Sequence, residues 1–110
     1  MKTEQIDKFK QEIEEEIERR HYNSLVYVLF DELNTAPFAI HIFYRDHLFM
    51  VNSRDDRSYV LGKTFEFTNF LEAKDKFFNL LDFIVREGRR FVAKRGSYMY
   101  SSPLWDDAKE

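Results

Sequence analysis

The stretch "FAIHIFYRDHLFMVNSRDDRSYVLGKTFEF", residues 38–67, decides the fold of this 110-residue chain. It holds three runs that are rich in aromatic and β-branched residues, and such runs are typical of strands. The dipeptide Arg45-Asp46 separates the first two runs, and the charged residues 54–57 separate the second run from the third. Because connections this short join antiparallel neighbours, the stretch predicts three strands of an antiparallel sheet.

Alternate side chains of these strands fall on opposite faces of the sheet. A turn at Arg45-Asp46 predicts one face with Phe38, Ile40, Ile42, Tyr44, His47, Phe49 and Val51. It predicts a second face with Ala39, His41, Phe43, Leu48, Met50 and Asn52. Both faces are largely apolar, so each needs a cover. The candidate covers for the second face are the N-terminal helix, the C-terminal segment and another molecule, and the last of these gives a homodimer through this face.

Two elements precede this stretch. Residues 24–31, "SLVYVLFD", predict a further strand, with "NTAP" as a turn after it. Residues 1–20 predict an acidic helix, because Ile6, Phe9, Ile13 and Ile17 recur at spacings of three and four. Thr3 is the candidate N-cap of this helix. The apolar stripe is narrow, which is typical of a helix that lies across a surface.

The main helix is predicted at residues 69–87. Asn69 stands three residues before Glu72, which is the spacing of a capping box. Gly88 is placed to end this helix as the residue after its last turn. The remaining residues, 89–110, are compatible with a short helix, a fifth strand or a tail.

These elements predict an α+β fold in the order α-β-β-β-β-α. We expect a four-stranded antiparallel β-meander over residues 24–67, one helix on each side of it in the sequence, and a short C-terminal extension. The whole chain, residues 1–110, is expected to form one domain. The absence of cysteine excludes disulfides and thiolate metal sites, and it fits the cytoplasm. The longest apolar run, residues 25–30, is too short to span a membrane.

The sequence contains no recognisable catalytic constellation. His41 and His47 fall on opposite faces of the predicted sheet, so they are not expected to share a metal ion. The serines lie outside any nucleophile-elbow pattern, and the three glycines form neither a phosphate-binding loop nor a dinucleotide fingerprint. We therefore expect no enzymatic activity, no cofactor and no metal.

The charged quartet Arg54, Asp55, Asp56 and Arg57 predicts a hairpin tip, because aspartate side chains bond nearby backbone amides in turns. The functional alternative is a protruding loop that contacts a protein partner. A second set of candidate partner-binding residues lies in the C-terminal segment, which looks exposed: Tyr98, Tyr100 and Trp105. Aromatic residues often anchor interfaces. The acidic face of the first helix, around residues 12–18, is the next place to look.

Charge is unevenly distributed along the chain. The net charge of −3 gives no general attraction to nucleic acid. Residues 86–95 nevertheless hold five basic side chains and one acidic one. This basic cluster is suited to binding phosphate groups. Alternatively, it forms ion pairs with the acidic first helix, within the fold or across a dimer.

Residues 59–84, "YVLGKTFEFTNFLEAKDKFFNLLDFI", resemble a pattern in several small immunity-protein families of bacterial polymorphic toxin systems. In that pattern a strand runs into a helix of the form E-A-x-x-x-F-x-x-L-L, and the matching positions are Glu72, Ala73, Phe77, Leu80 and Leu81. The resemblance implies a cytoplasmic inhibitor that neutralises a cognate toxin by binding it. It carries over no functional residue, because such families bind through variable surfaces.

We therefore expect a non-catalytic protein-binding inhibitor. Two alternatives stay open at this point. One is an inhibitor from a phage or mobile element, such as an anti-restriction or anti-CRISPR protein that mimics DNA with acidic residues. The other is a nucleic-acid-binding module that uses the basic cluster at residues 86–95.

Overall fold

The computed structural model describes residues 1–108. Its elements are α1 (Thr3–Arg19), β1 (Tyr27–Leu29), β2 (Ile40–Arg45), β3 (Leu48–Arg54), β4 (Val60–Phe67) and α2 (Phe70–Arg95). This order confirms the predicted α+β class and the sequence α-β-β-β-β-α.

The four strands form one sheet in the order β1-β2-β3-β4. As predicted, β3 is antiparallel to both β2 and β4. However, β1 runs parallel to β2, so the prediction of a wholly antiparallel meander is wrong for this pair. Parallel neighbours need a crossover connection. Residues 30–39 form this connection. It is long enough because β1 has only three residues, so the chain returns over a short distance before β2 begins.

The turn between β2 and β3 lies one residue later than predicted. Asp46 and His47 take positive φ angles of 54° and 65°, and Arg45 pairs with Leu48. Two consecutive positive φ angles are the mark of the tight hairpin turn that matches strand twist. The register therefore shifts by two residues, and Ile42 lies opposite Val51 instead of Phe49. Because side chains alternate with a period of two, the predicted faces are unchanged.

Both helices pack on the same face of the sheet. The ring of Phe9 in α1 stacks on Phe70 of α2 with centroids 4.0 Å apart, and it meets Phe49 of β3 edge-on at 5.6 Å. Charged pairs join the helices at Glu16–Lys74 and Arg20–Asp82, at 3.0 and 3.1 Å. The core lies between this helical layer and the sheet, and its fully buried members include Ile13, Ile17, Ile42, Val51, Phe77 and Leu81.

The second face of the sheet is covered by the chain itself. His41, Phe43 and Met50 are all buried there. The guanidinium of Arg45 lies 5.6 Å from the ring centroid of Phe43, and it pairs with Glu32 of the crossover connection at 3.0 Å. The crossover connection and the arginines of the sheet therefore contribute to this cover. The homodimer through this face, which the sequence offered as one possibility, stays a prediction.

The two helices begin differently. Asn69 caps α2 as predicted: its Oδ1 accepts from the backbone N–H of Glu72 at 2.9 Å, and its Nδ2 donates to Glu72 Oε1 at 2.7 Å. The prediction of Thr3 as N-cap of α1 is wrong. Lys2 holds that position and makes no side-chain cap.

The prediction that α2 ends at Gly88 is also wrong. The helix continues to Arg95, and Gly96 ends it with a φ of 86° and an N–H bonded to the carbonyl of Val92. Gly88 instead lies inside the helix and faces Trp105, and a Cβ at position 88 would lie 2.7 Å from Cε3 of that indole. The glycine therefore makes room for an aromatic ring.

The segment at residues 97–108 folds back onto α2 and adds no strand to the sheet. Of the ambiguous extension, residues 89–95 are thus helix and residues 97–108 a packed segment. The last two residues of the extension, 109–110, lie outside the described residues.

Candidate functional site

The charged quartet forms the tip of the β3–β4 hairpin, which confirms the hairpin interpretation. Oδ1 of Asp55 accepts from the backbone N–H groups of Arg57 and Tyr59, at 2.8 and 2.9 Å. The side chain of Arg54 turns inward, and its Nε donates to Oδ1 of Asn52 at 2.8 Å. Only Asp56 and Arg57 of the quartet are exposed. Their contact with a partner stays a prediction.

Of the aromatic residues of the C-terminal segment, Trp105 is buried, and Tyr98 and Tyr100 are half-buried. Trp105 is only 1% exposed, and its indole N–H donates to the carbonyl of Tyr100 at 2.8 Å. The rings of Tyr98 and Tyr100 pack edge-on against it, with centroids 5.2 and 5.1 Å away. The expectation of an exposed aromatic tail is therefore wrong. A role in partner binding stays a prediction, and Trp105 has no free surface with which to fulfil it.

His41 is a titratable side chain that is fully buried. Neither of its ring nitrogens has a hydrogen-bond partner within residues 1–108. Burial, and after it the nearby positive charge of Arg54, lower the pKa of His41 to about 4, although the negative charge of Asp31 opposes the shift. The imidazole is thus neutral near pH 7, and it is fully buried.

Glu16 is the ionic link between the two helices. Burial acts to raise the pKa of Glu16, but the hydrogen bond and charge of Lys74, together with Arg20, outweigh it and lower the pKa below its ordinary value. A perturbed carboxyl is sometimes catalytic. Here its partners hold α1 against α2, which is a structural task.

The basic cluster at residues 86–95 lies on the last turns of α2. Nε of Arg89 donates to the carbonyl of Leu104 at 2.9 Å, and Arg90 pairs with Glu87 at 3.2 Å. No ion pair within the described part of the chain joins this cluster to α1. The predicted pairing with the acidic helix is therefore not made within the fold.

A groove of about 420 Å³ runs along the free edge of β1. Its first wall is α1, which contributes Lys10, Glu14 and Glu18. These three side chains are spaced by four residues, so they share one face of the helix. Its second wall is the crossover connection, with Asp31 and Asn34, and its floor is the strand at residues 27–29. The groove cannot be predicted from the sequence. It forms where α1 lies beside the β1 edge of the sheet, and its position depends on the parallel pairing of β1 with β2.

No group of three or more His, Asp or Glu side chains within residues 1–108 is arranged to hold a metal ion. No helix among the described residues combines the length and apolarity needed to cross a membrane.

Comparison with known proteins gives one match. The family model described as immunity protein 59 matches residues 6–106. This range includes both helices except the first turn of α1, the whole sheet and the buried Trp105. No curated protein and no solved structure matches the chain.

Proposed function

Since the chain belongs to the immunity protein 59 family, we propose that it binds a cognate protein toxin and neutralises it without catalysing a reaction. The observation that carries the proposal is the family match, which spans residues 6–106. The resemblance of residues 59–84 to immunity proteins supports it. The absence of cysteine supports action in a reducing bacterial cytoplasm.

The internal contacts of the candidate residues bear on which surface we propose for toxin binding. Arg54, Asp55 and Trp105 use their polar groups within the fold. We propose that they, like Tyr98 and Tyr100, maintain the shape of the protein. Asp56 and Arg57 are the exposed charges at the hairpin tip, and charges at the rim of an interface steer the encounter of two proteins.

A growth assay tests this function. The chain is co-expressed with a toxin domain taken from the genes next to its own, each under a separate promoter, and growth is expected to be restored. A toxin with its catalytic residue replaced serves as control for expression. If the chain leaves the active toxin lethal although both proteins accumulate, the proposed function is wrong.

A titration separates binding from catalysis. A binding inhibitor abolishes toxin activity only when it is present in roughly equal amount, since each molecule occupies one toxin. The purified toxin is therefore titrated with the chain, and its intact mass is measured afterwards. Complete inactivation at a small fraction of the toxin concentration, or a changed toxin mass, would show that the chain acts as an enzyme.

A further inference from the structure

We infer that the groove beside β1 accepts an extended, basic segment of the protein partner, which adds to the sheet as a fifth strand along β1. The groove comprises the edge strand Tyr27–Leu29, the α1 face with Lys10, Glu14 and Glu18, and the connection residues Asp31 and Asn34. The identity of this partner as a toxin rests on the proposed function. The chemistry of the segment is deduced from the groove alone.

The outer side of the β1 backbone makes no hydrogen bond within residues 1–108. The N–H of Ile40 bonds the carbonyl of Val26 at 3.1 Å, and the N–H of Phe30 bonds the carbonyl of Ile42 at 2.7 Å. In a parallel ladder, alternate residues point their polar groups to the same neighbour, so those of Tyr27 and Leu29 point away from β2. No turn, loop or side-chain hydrogen bond within residues 1–108 uses them. Such an edge is a template for an added strand.

The charge of the groove selects the segment. Three acids, Glu14, Glu18 and Asp31, line it together with a single base, Lys10. Glu14 lies close enough to the phenol of Tyr27 that its charge adds to burial in raising the pKa of that tyrosine. Side chains of an added strand would point alternately towards α1 and towards the connection. Lysine or arginine on both faces of the segment therefore complements the two walls.

A second copy of this chain does not fit the groove. Pairing β1 with β1 of another copy would bring two sets of these three acids together, and like charges on neighbouring strands repel each other. The other free edge, β4, is less suited to pairing. Its register with β3 is interrupted between Val51 and Ser53, where Gly62 takes a φ of 71°, and Lys63 follows. Bulges and lysines are devices that discourage added strands.

Amide hydrogen exchange followed by NMR tests the inference. The probe is a capped eight-residue peptide of lysine, valine and threonine with lysines on both faces of its extended form. We expect the peptide to slow exchange at the Tyr27 and Leu29 amides by about ten-fold or more, because each gains a hydrogen bond. A peptide with glutamate in place of lysine tests the charge. A peptide with alternate backbone nitrogens methylated tests the strand pairing, and neither analogue is expected to protect these amides.

Matched variants of α1 provide the control on the protein. The double variant Glu14→Lys with Glu18→Lys should abolish the protection. The double variant Glu12→Lys with Glu15→Lys makes the same change in net charge on the same helix, at exposed positions outside the groove. It should leave the protection unchanged. Equal effects of the two pairs, protection elsewhere than β1, or no protection by the basic peptide would overturn the inference.

Two further readouts complete the test. Amides of Tyr27 and Leu29 that are already protected in a peptide-free dimer would show that a second copy occupies the groove, which also overturns it. In the growth assay, the double variant at positions 12 and 15 should still restore growth in the presence of the toxin, and the double variant at positions 14 and 18 should not. If both pairs rescue, the groove inference fails and the proposed function stands. If the wild-type chain fails to rescue, the proposed function fails, and the peptide experiment judges the groove independently.

Discussion

Replacing Gly88 with alanine should destabilise the protein although the position lies inside a long helix. The added Cβ would lie 2.7 and 2.8 Å from Cε3 and Cδ2 of Trp105, and 3.1 Å from Cδ2 of Tyr98. The indole cannot easily retreat, because its N–H is bonded to the carbonyl of Tyr100 and two tyrosine rings pack against it. The methyl group therefore forces a shift of the helix or of residues 97–108.

Two opposing effects set the magnitude. Overpacking a well-packed interior costs about 1–3 kcal/mol, while alanine in place of glycine within a helix returns about 1 kcal/mol. The contacts below 3.0 Å involve ring atoms rather than the end of a flexible side chain. We therefore place the cost in the upper part of its range and expect Gly88→Ala to lower the free energy of unfolding by about 1–2 kcal/mol.

Urea unfolding followed by far-ultraviolet circular dichroism measures this change. The decisive control repeats Gly88→Ala in a Trp105→Leu background, where both contacts with the indole are gone and the remaining neighbour, the ring of Tyr98 at 3.1 Å, has room to shift. In that background, Gly88→Ala should raise the free energy of unfolding by about 1 kcal/mol. Asn79→Ala, at an exposed position of α2, controls for helix preference alone. A stabilised Gly88→Ala protein, or an equal effect in both backgrounds, would refute the reasoning.

Three further predictions concern stability. The pKa of His41 is 6.5 in the unfolded chain and about 4 in the folded chain. As pH falls between these values, the unfolded chain binds a proton that the folded chain does not, so the free energy of unfolding should fall by up to about 3 kcal/mol. Unfolding free energies measured across that range should lose this slope in His41→Leu. Asp55→Ala should cost about 1–2 kcal/mol in urea unfolding, since two backbone N–H groups lose their acceptor, whereas Asp56→Ala should stay within about 0.5 kcal/mol; equal effects would contradict the turn geometry. Leu81→Ala should cost about 2–5 kcal/mol, and a change below about 0.5 kcal/mol would mean that the core is wrongly identified.

Periodicity in the sequence was sufficient to predict which side chains share a face. The alternation in β2 and β3 assigned Ile40, Ile42 and Val51 to the core even though the turn was placed one residue early. Such an error moves the register by two residues and leaves the faces intact. The hairpin tip was equally predictable, because aspartate bonds the backbone of its own turn.

The sequence could not show features that depend on distant contacts. The local pattern predicts the end of α2 at Gly88, because the ring that requires a glycine there comes from Trp105, seventeen positions later. A local signal did exist: Leu81, Val85, Gly88 and Val92 continue one helical stripe at spacings of four, three and four. The groove also depends on distant contacts, because its prediction requires knowing that β1 is an edge strand parallel to β2.

The burial of Trp105 gives the protein a built-in optical reporter. It is the single tryptophan of the chain, and it is buried where residues 97–108 fold back onto α2. Its fluorescence emission therefore follows the docking of that segment, whereas circular dichroism follows the helices. If the segment opens before the rest unfolds, the emission will shift to the red at lower urea than the helical signal falls. Coincident curves would mean that the segment and the helical layer melt as one cooperative unit.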